Sequence, residues 1–211
     1  LKKQINCSIK PTKLYTHNLD VDAINGFELS KIQEKEKIFD MSSDGLSVIV
    51  ASLKKNCLAP EELKLKIGAV VMFVKNNFRK GYVNGTLGEI IGFDEDNLPI
   101  VKTKLGREIV AEQTSWGIEQ KGQVVASISQ IPLRLAWAIT VHKSQGMSLD
   151  AAEIDLSKSF ERGMGYVALS RVRQLDGIKL MGINQMALRV NEQIVEKDKE
   201  FKELSRQIES S

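Results

Sequence analysis

The chain has 211 residues, 42% apolar and 27% charged, with a formal net charge of +3. That apolar content is enough to bury a core, which excludes a disordered chain. The mild charge permits a nucleic-acid partner without demanding one, because a basic patch must be local to act.

No apolar run approaches the ~18–20 residues that cross a bilayer, so no membrane partner is expected. The two cysteines, Cys7 and Cys57, and the two histidines fit no zinc spacing, so no metal site is expected. Two unpaired thiols suit a reducing cytoplasm (or nucleus or mitochondrion in a eukaryote), a single disulfide being the alternative. A start at Leu1 without Met fits an excised C-terminal piece, although loss of a tag or of Met would look the same.

Residues 13–15 read as a short strand after Pro11. Asn18 or Asp20 is placed to cap a helix whose apolar stripe, Val21, Ile24, Leu29 and Ile32, is broken at Gly26. A second helix is expected over 46–56, with Val48, Ile49, Ala51 and Leu53 toward its buried side. Ala59-Pro60-Glu61-Glu62 reads as the cap and first turn of another.

The texture changes at Leu65. Short β-type runs at 70–74, 87–93, 99–103, 109–110 and 124–128 are separated by turn chemistry at Lys80-Gly81, Asn84-Gly85, 94–97 and Gly106. Five short strands in this space predict a small barrel of SH3-like kind.

After Ile131-Pro132, a helix is expected from Ala136 and Ile139 up to Gly146, ending at that glycine. A strand over 152–156, a helix over 163–172 and a strand over 177–181 follow. The tail over 184–208 reads as one long, mostly polar helix with one apolar face. The resulting fold class is an α/β domain, 1–64 and 131–211, interrupted by a β-barrel over 65–130.

Two stretches carry chemistry. Thr140-Val-His-Lys-Ser-Gln-Gly146 offers two hydroxyls, an imidazole, an ammonium and an amide, short donors suited to phosphate oxygens without base preference. Its plain alternative is a solvated helix end. Tyr166-Val-Ala-Leu-Ser-Arg171 sets one guanidinium after an apolar turn, a fork that bridges phosphoryl oxygens. Its plain alternative is a surface arginine paired with an acid such as Asp155. Ile90-Ile-Gly-Phe-Asp-Glu95 imitates a magnesium-binding strand end, but its continuation Asp-Asn-Leu-Pro is a hairpin turn. No Gly-x-x-x-x-Gly-Lys-Ser/Thr phosphate loop occurs. Base stacking, if any, is assigned to Trp137, Tyr82 or Trp116.

Taken together, residues 132–146 resemble the fifth motif of the superfamily 1B helicases of RecD/Pif type, and 166–171 their sixth. Thr16-His-Asn-Leu-Asp-Val-Asp-Ala-Ile-Asn25 is similar to their fourth-motif region. Leu65-Lys-Ile-Gly-Ala-Val-Val-Met-Phe-Val-Lys-Asn76 with Val83-Asn-Gly-Thr-Leu-Gly88 resembles the opening of their SH3-like insertion. The resemblance implies a second RecA-like domain, without its phosphate loop, carrying the barrel as an insert.

It also implies a division of labour. ATP and Mg²⁺ would be held mainly by an N-terminal RecA-like domain of the same protein, absent from this chain. Arg171 would be the arginine finger, with Gln145 and Gly146 facing the nucleotide. Thr140, His142, Lys143 and, more remotely, Thr16 and Asn18 would touch single-stranded DNA. Met147-Ser148 departs from relatives that place a ribose-binding carboxylate there. The implied activity is ATP-driven 5′–3′ translocation and unwinding in DNA repair or recombination, with the isolated chain inactive as an ATPase. A non-catalytic single-strand-binding or interaction module, or the helicase half of a conjugative relaxase, are the alternatives.

Overall fold

The computed structural model describes residues 11–120, 122–149 and 151–209, with backbone alone at 18–20 and 209. Cys7 lies outside them, and Cys57 is a free, half-buried thiol whose pKa burial pushes up. In chain order the elements begin with β1 (Thr12–Tyr15), α1 (Asn18–Ser30), β2 (Lys37–Asp40), β3 (Ser42–Gly45), α2 (Ser47–Asn56) and β4 (Glu62–Leu65). Then come β5 (Val70–Phe73), β6 (Leu87–Phe93), β7 (Pro99–Thr103), β8 (Glu108–Val110), β9 (Thr114–Gln120) and β10 (Gln123–Gln130). The chain continues with β11 (Leu133–Leu135), β12 (Ala138–Thr140), β13 (Ala152–Leu156), α3 (Met164–Leu169), β14 (Ile178–Ile183) and α4 (Glu192–Glu209).

The functional end of the fold rests on a parallel sheet of order β12-β1-β13-β14. Leu14, Ile139 and Ile154 are fully buried there, as expected where a parallel sheet is covered on both faces. Its edge strand β12 is closed by a side chain. Buried Asn25 on α1 donates to the Ala138 carbonyl at 2.9 Å and accepts from the Ala138 N–H at 3.0 Å. One amide thus satisfies both backbone groups that an edge leaves open. Thr12 Oγ1 adds a bond to the Ala136 carbonyl at 3.0 Å.

The second large sheet is antiparallel, β11-β5-β6-β7-β8. All four residues of β5 are buried, and Phe73 stacks on Tyr82 with centroids 3.9 Å apart. Its hairpins are the expected ones. Asp94 Oδ1 accepts from the Leu98 N–H at 2.7 Å, and Asn97 takes φ +63°, so the imitation magnesium strand is a turn. A third sheet, β3-β10-β9, carries α2 on its flank, while β2 pairs β4. These pairings cross the expected borders at 64/65 and 130/131: β11 joins the antiparallel sheet and β10 pairs with β3. Buried Gln130 marks this junction, its amide nitrogen within 2.9–3.1 Å of the Phe39, Pro60 and Glu61 carbonyls.

Several expectations need correction. The helix expected from Ala136 to Gly146 is instead β12 followed by a 3-10 turn, His142–Ser144. A short continuous apolar run is compatible with either a buried strand or a buried helix, and pairing to β1 decides for the strand. Residues 59–62 lead into β4 rather than a helix, because 62–65 pair with β2. The cap residue of α1 is His17 rather than Asn18 or Asp20, and it makes no side-chain cap bond. On α2, Val48 and Ala51 are exposed, while Ile49, Val50 and Leu53 are half-buried. The helix expected over 163–172 is shorter, Met164–Leu169, and α4 occupies only the second part of 184–208.

Candidate nucleotide and single-strand site

Strands β12, β1 and β13 lie side by side and parallel, so the loops leaving their carboxyl ends converge on one edge of the sheet. In open α/β sheets that edge is where ligands bind. After β12, Val141 plugs into the core and Ser144 Oγ donates to its carbonyl at 2.6 Å, which tightens the 3-10 turn. The chain then reverses. Gln145 has φ −58° and ψ 136°, Gly146 has φ +74°, and the Met147 N–H bonds the Ser144 carbonyl at 3.1 Å. That is a type II turn, whose third residue needs positive φ, so Gly146 serves a turn rather than a helix end. The turn leaves Gln145 exposed at its tip.

The two distant motifs meet directly after this turn. Leu149 and Val172 form a parallel bridge, with the Leu149 N–H on the Arg171 carbonyl at 2.7 Å and the Arg173 N–H on the Leu149 carbonyl at 3.0 Å. Half-buried Arg171 points back across the bridge. Its Nε donates to the Val167 carbonyl at 2.9 Å, Nη1 to the Met147 carbonyl at 3.4 Å and Nη2 to Ser170 Oγ at 2.9 Å. Asp155, the acid a surface pairing would use, is engaged by the N–H and hydroxyl of Ser157, which hold its carboxyl below the usual range. The turn before β6 reaches the same place: a Cβ on Gly85 would lie 3.1 Å from Met147 Cβ and 3.2 Å from the Ser148 carbonyl oxygen.

Beside Gln145 opens a cavity of about 590 Å³, lined by His142, Gln145, Tyr166 and Val167 and walled by Ile194 and Asp198 of α4.

The residues assigned to the single strand divide. Thr140 is 2% exposed and its hydroxyl accepts from the Lys143 N–H, so it shapes the turn from inside rather than facing solvent. Thr16 is also buried, with Oγ1 2.8 Å from His17 Nδ1. The side chain of Asn18 lies outside the described residues. His142 is exposed, its Nε2 3.1 Å from Glu161 Oε2. Lys143 is half-buried, and its pKa is lowered by burial first and by the charge of Arg134 second, against Asp22.

Arg134, buried beneath, bonds the Leu58 carbonyl through Nη1 at 3.3 Å, and burial lowers its pKa too. Neither Arg134 nor His17 was singled out in the sequence. Arg134 was legible as the lone cation in the apolar run 131–139. Of the stacking candidates, Trp137 and Tyr82 are buried and so misplaced, while Trp116 is half-buried with the Lys75 ammonium 4.8 Å from its ring.

The comparisons bear on this geometry. The family description "DNA helicase Pif1, 2B domain" matches residues 49–93, from α2 through β6. An ATP-dependent DNA helicase Pif1 of Psychrobacter is 41% identical over 93% of this chain. The chain belongs to the Pif1/RecD-type superfamily 1B helicases. It spans 38% of the length of the Psychrobacter relative.

Two crystal structures of Bacteroides Pif1 superpose on it. The complex with ADP-AlF4 shares 31% identity at a TM-score of 0.79, covering 93% of this chain and 46% of that one. The complex with single-stranded DNA shares 31% identity at a TM-score of 0.66, covering 97% and 48%. The mixed α/β fold with several sheets is therefore that of a Pif1 helicase region.

Proposed function

We propose that this chain is the C-terminal half of an ATP-dependent DNA helicase, supplying an arginine finger and single-strand contacts for 5′–3′ translocation and unwinding. The observation that carries the reading is the Leu149–Val172 bridge, which sets the Arg171 guanidinium against the Gln145–Met147 turn. In this reading residues 65–130 are the SH3-like insert, with 1–64 and 131–211 the two parts of the RecA-like domain. The protein works in a reducing compartment, where Cys57 stays a thiol.

The residues present fit one side of a nucleotide. They offer a guanidinium and an amide; the sequence has no phosphate loop, and no acidic cluster able to hold a metal occurs among the described residues, so an N-terminal RecA-like domain would hold ATP and Mg²⁺. The metal would neutralise developing phosphate charge when bound. Arg171 now satisfies its fork on a hydroxyl and two carbonyls, neutral acceptors that a phosphoryl oxygen outcompetes through charge. Gln145, exposed at the tip of its turn, and Gly146 beside it would face the nucleotide. His142 and Lys143 would contact the strand from the end of β12, where buried Thr140 accepts from the Lys143 N–H, and buried Thr16 bonds His17 at the end of β1. Closure on the nucleotide would then move these contacts along the DNA.

The test is made on the full-length protein with its N-terminal region. ATP hydrolysis should be stimulated by single-stranded DNA, and a duplex with a 5′ tail should be unwound while one with a 3′ tail is not. Strand binding without stimulated hydrolysis would replace this reading with the non-catalytic binding module.

A further inference from the structure

Three loops at the carboxyl ends of neighbouring strands bring three rings together. His142 follows β12, His17 follows β1 and Phe160 follows β13. The Phe160 centroid lies 5.2 Å from that of His17 at 46° and 6.2 Å from that of His142 at 35°. Both contacts are tilted, so neither imidazole lies flat over the phenyl ring, and Phe160 remains 50% exposed.

The exposure is not that of a loosely held loop. The Asn184 amide donates to the Ser159 carbonyl at 2.8 Å, the Ser159 N–H bonds the Leu156 carbonyl at 3.2 Å, and Gly163 N–H bonds the Arg189 carbonyl at 2.8 Å. The loop is pinned on both sides of Phe160, yet its ring is left half in water, at a cost in unburied apolar area. On its other side His142 is drawn toward Glu161, which keeps the rim of the ring polar.

We propose that Phe160 is a base-stacking platform for the single strand, flanked by His17 and His142 as polar groups for the adjoining backbone. This rests on the strand-binding reading above and adds to it a residue and an interaction type. A phenyl face accepts any base, because every base has a π-face, so the platform adds affinity without sequence preference and lets the strand step past. It also replaces Trp137 and Tyr82, whose burial removes them from that role.

The experiment uses the full-length protein and two fluorescent oligonucleotides of equal length, one of thymidines and one of abasic sites. Phe160→Ala should weaken binding of the thymidine strand about tenfold, the scale of one lost base–aromatic stack, and leave the abasic strand unchanged. Phe160→Trp should restore the affinity, and the new indole should be quenched by the thymidine strand alone. It also keeps the test decisive if the alanine variant fails to fold. Phe160→Leu should behave as Ala does. Equal weakening of both oligonucleotides, no weakening of either, full rescue by Leu, or an indole that no strand quenches would each overturn the platform. Such results with the abasic strand still bound would leave the backbone-contact reading standing. Failure of the unmodified protein to bind either strand would overturn both.

Discussion

In the antiparallel sheet two short connections only return the chain, β6 to β7 across Asp94–Asn97 and β7 to β8 across residues 104–107. In the parallel sheet the neighbours β1 and β12 are joined across a sequence separation of 124 residues, as the Thr12–Ala136 bond records. Parallel neighbours need long crossovers, so the carboxyl ends of β1, β12 and β13 are free to carry groups other than a tight turn. Those ends hold His17, His142 and Phe160. The difference teaches where side chains are left free for a ligand: at the ends of the sheet whose connections are long, rather than in the hairpins. The two regions share one buried core and also meet where the Gly85 turn packs on Met147 and Ser148.

The comparison breaks first, and hardest, at the edge of the parallel sheet. Asn25→Ala should strip both backbone groups of Ala138 of their partner and cost about 2–3 kcal/mol by chemical denaturation, with strand affinity falling as β12 loosens. A loss near zero would mean that Asn25 does not hold the site. Gly85→Ala tests the contact between the regions. At φ +94° with Met147 and Ser148 against the new methyl, about 1–3 kcal/mol of stability should be lost. An unchanged midpoint would show that the Gly85 turn is not seated there.

A smaller effect should follow pH. Burial lowers the folded pKa of Lys143 below its unfolded value of about 10.4, so the unfolded chain binds more protons between the two. Stability should therefore rise as pH climbs through that window, and Lys143→Met should flatten the rise. A slope that survives the substitution would assign it to other groups. Least of all should Glu161→Gln matter to the fold. The exposed His142–Glu161 pair is worth less than about 1 kcal/mol, so unfolding should stay within that range. A larger loss would make Glu161 part of the scaffold.

The antiparallel sheet is the more legible region because most of its strands announce themselves locally as a short apolar run and then a turn, whereas the largely exposed β9 of the third sheet is not among the expected runs. Ser42–Gly45 was invisible for the opposite reason. Its residues are polar and exposed, and only pairing with β10 makes them a strand. At the site, the sequence carries residue types and their order, but 136–146 reads as a helix because a buried strand and a buried helix show the same apolar run. That reading hid the orientation of Thr140, which the strand turns inward. Phe160 escaped notice because a phenylalanine in a polar loop looks like ordinary packing, and its exposure depends on Asn184, far along the chain, pinning the loop.

The most direct test of the account concerns Arg171. In the full-length protein, Arg171→Ala should lower the kcat of strand-stimulated ATP hydrolysis by about 10³-fold or more while single-strand Kd stays unchanged, since a finger acts on charge that develops only in the transition state. Arg171→Lys should rescue poorly, because a point charge lacks the fork, and Arg173→Ala should hydrolyse normally. Turnover abolished by Arg173→Ala and retained in Arg171→Ala would contradict the account and move the finger two residues along the chain.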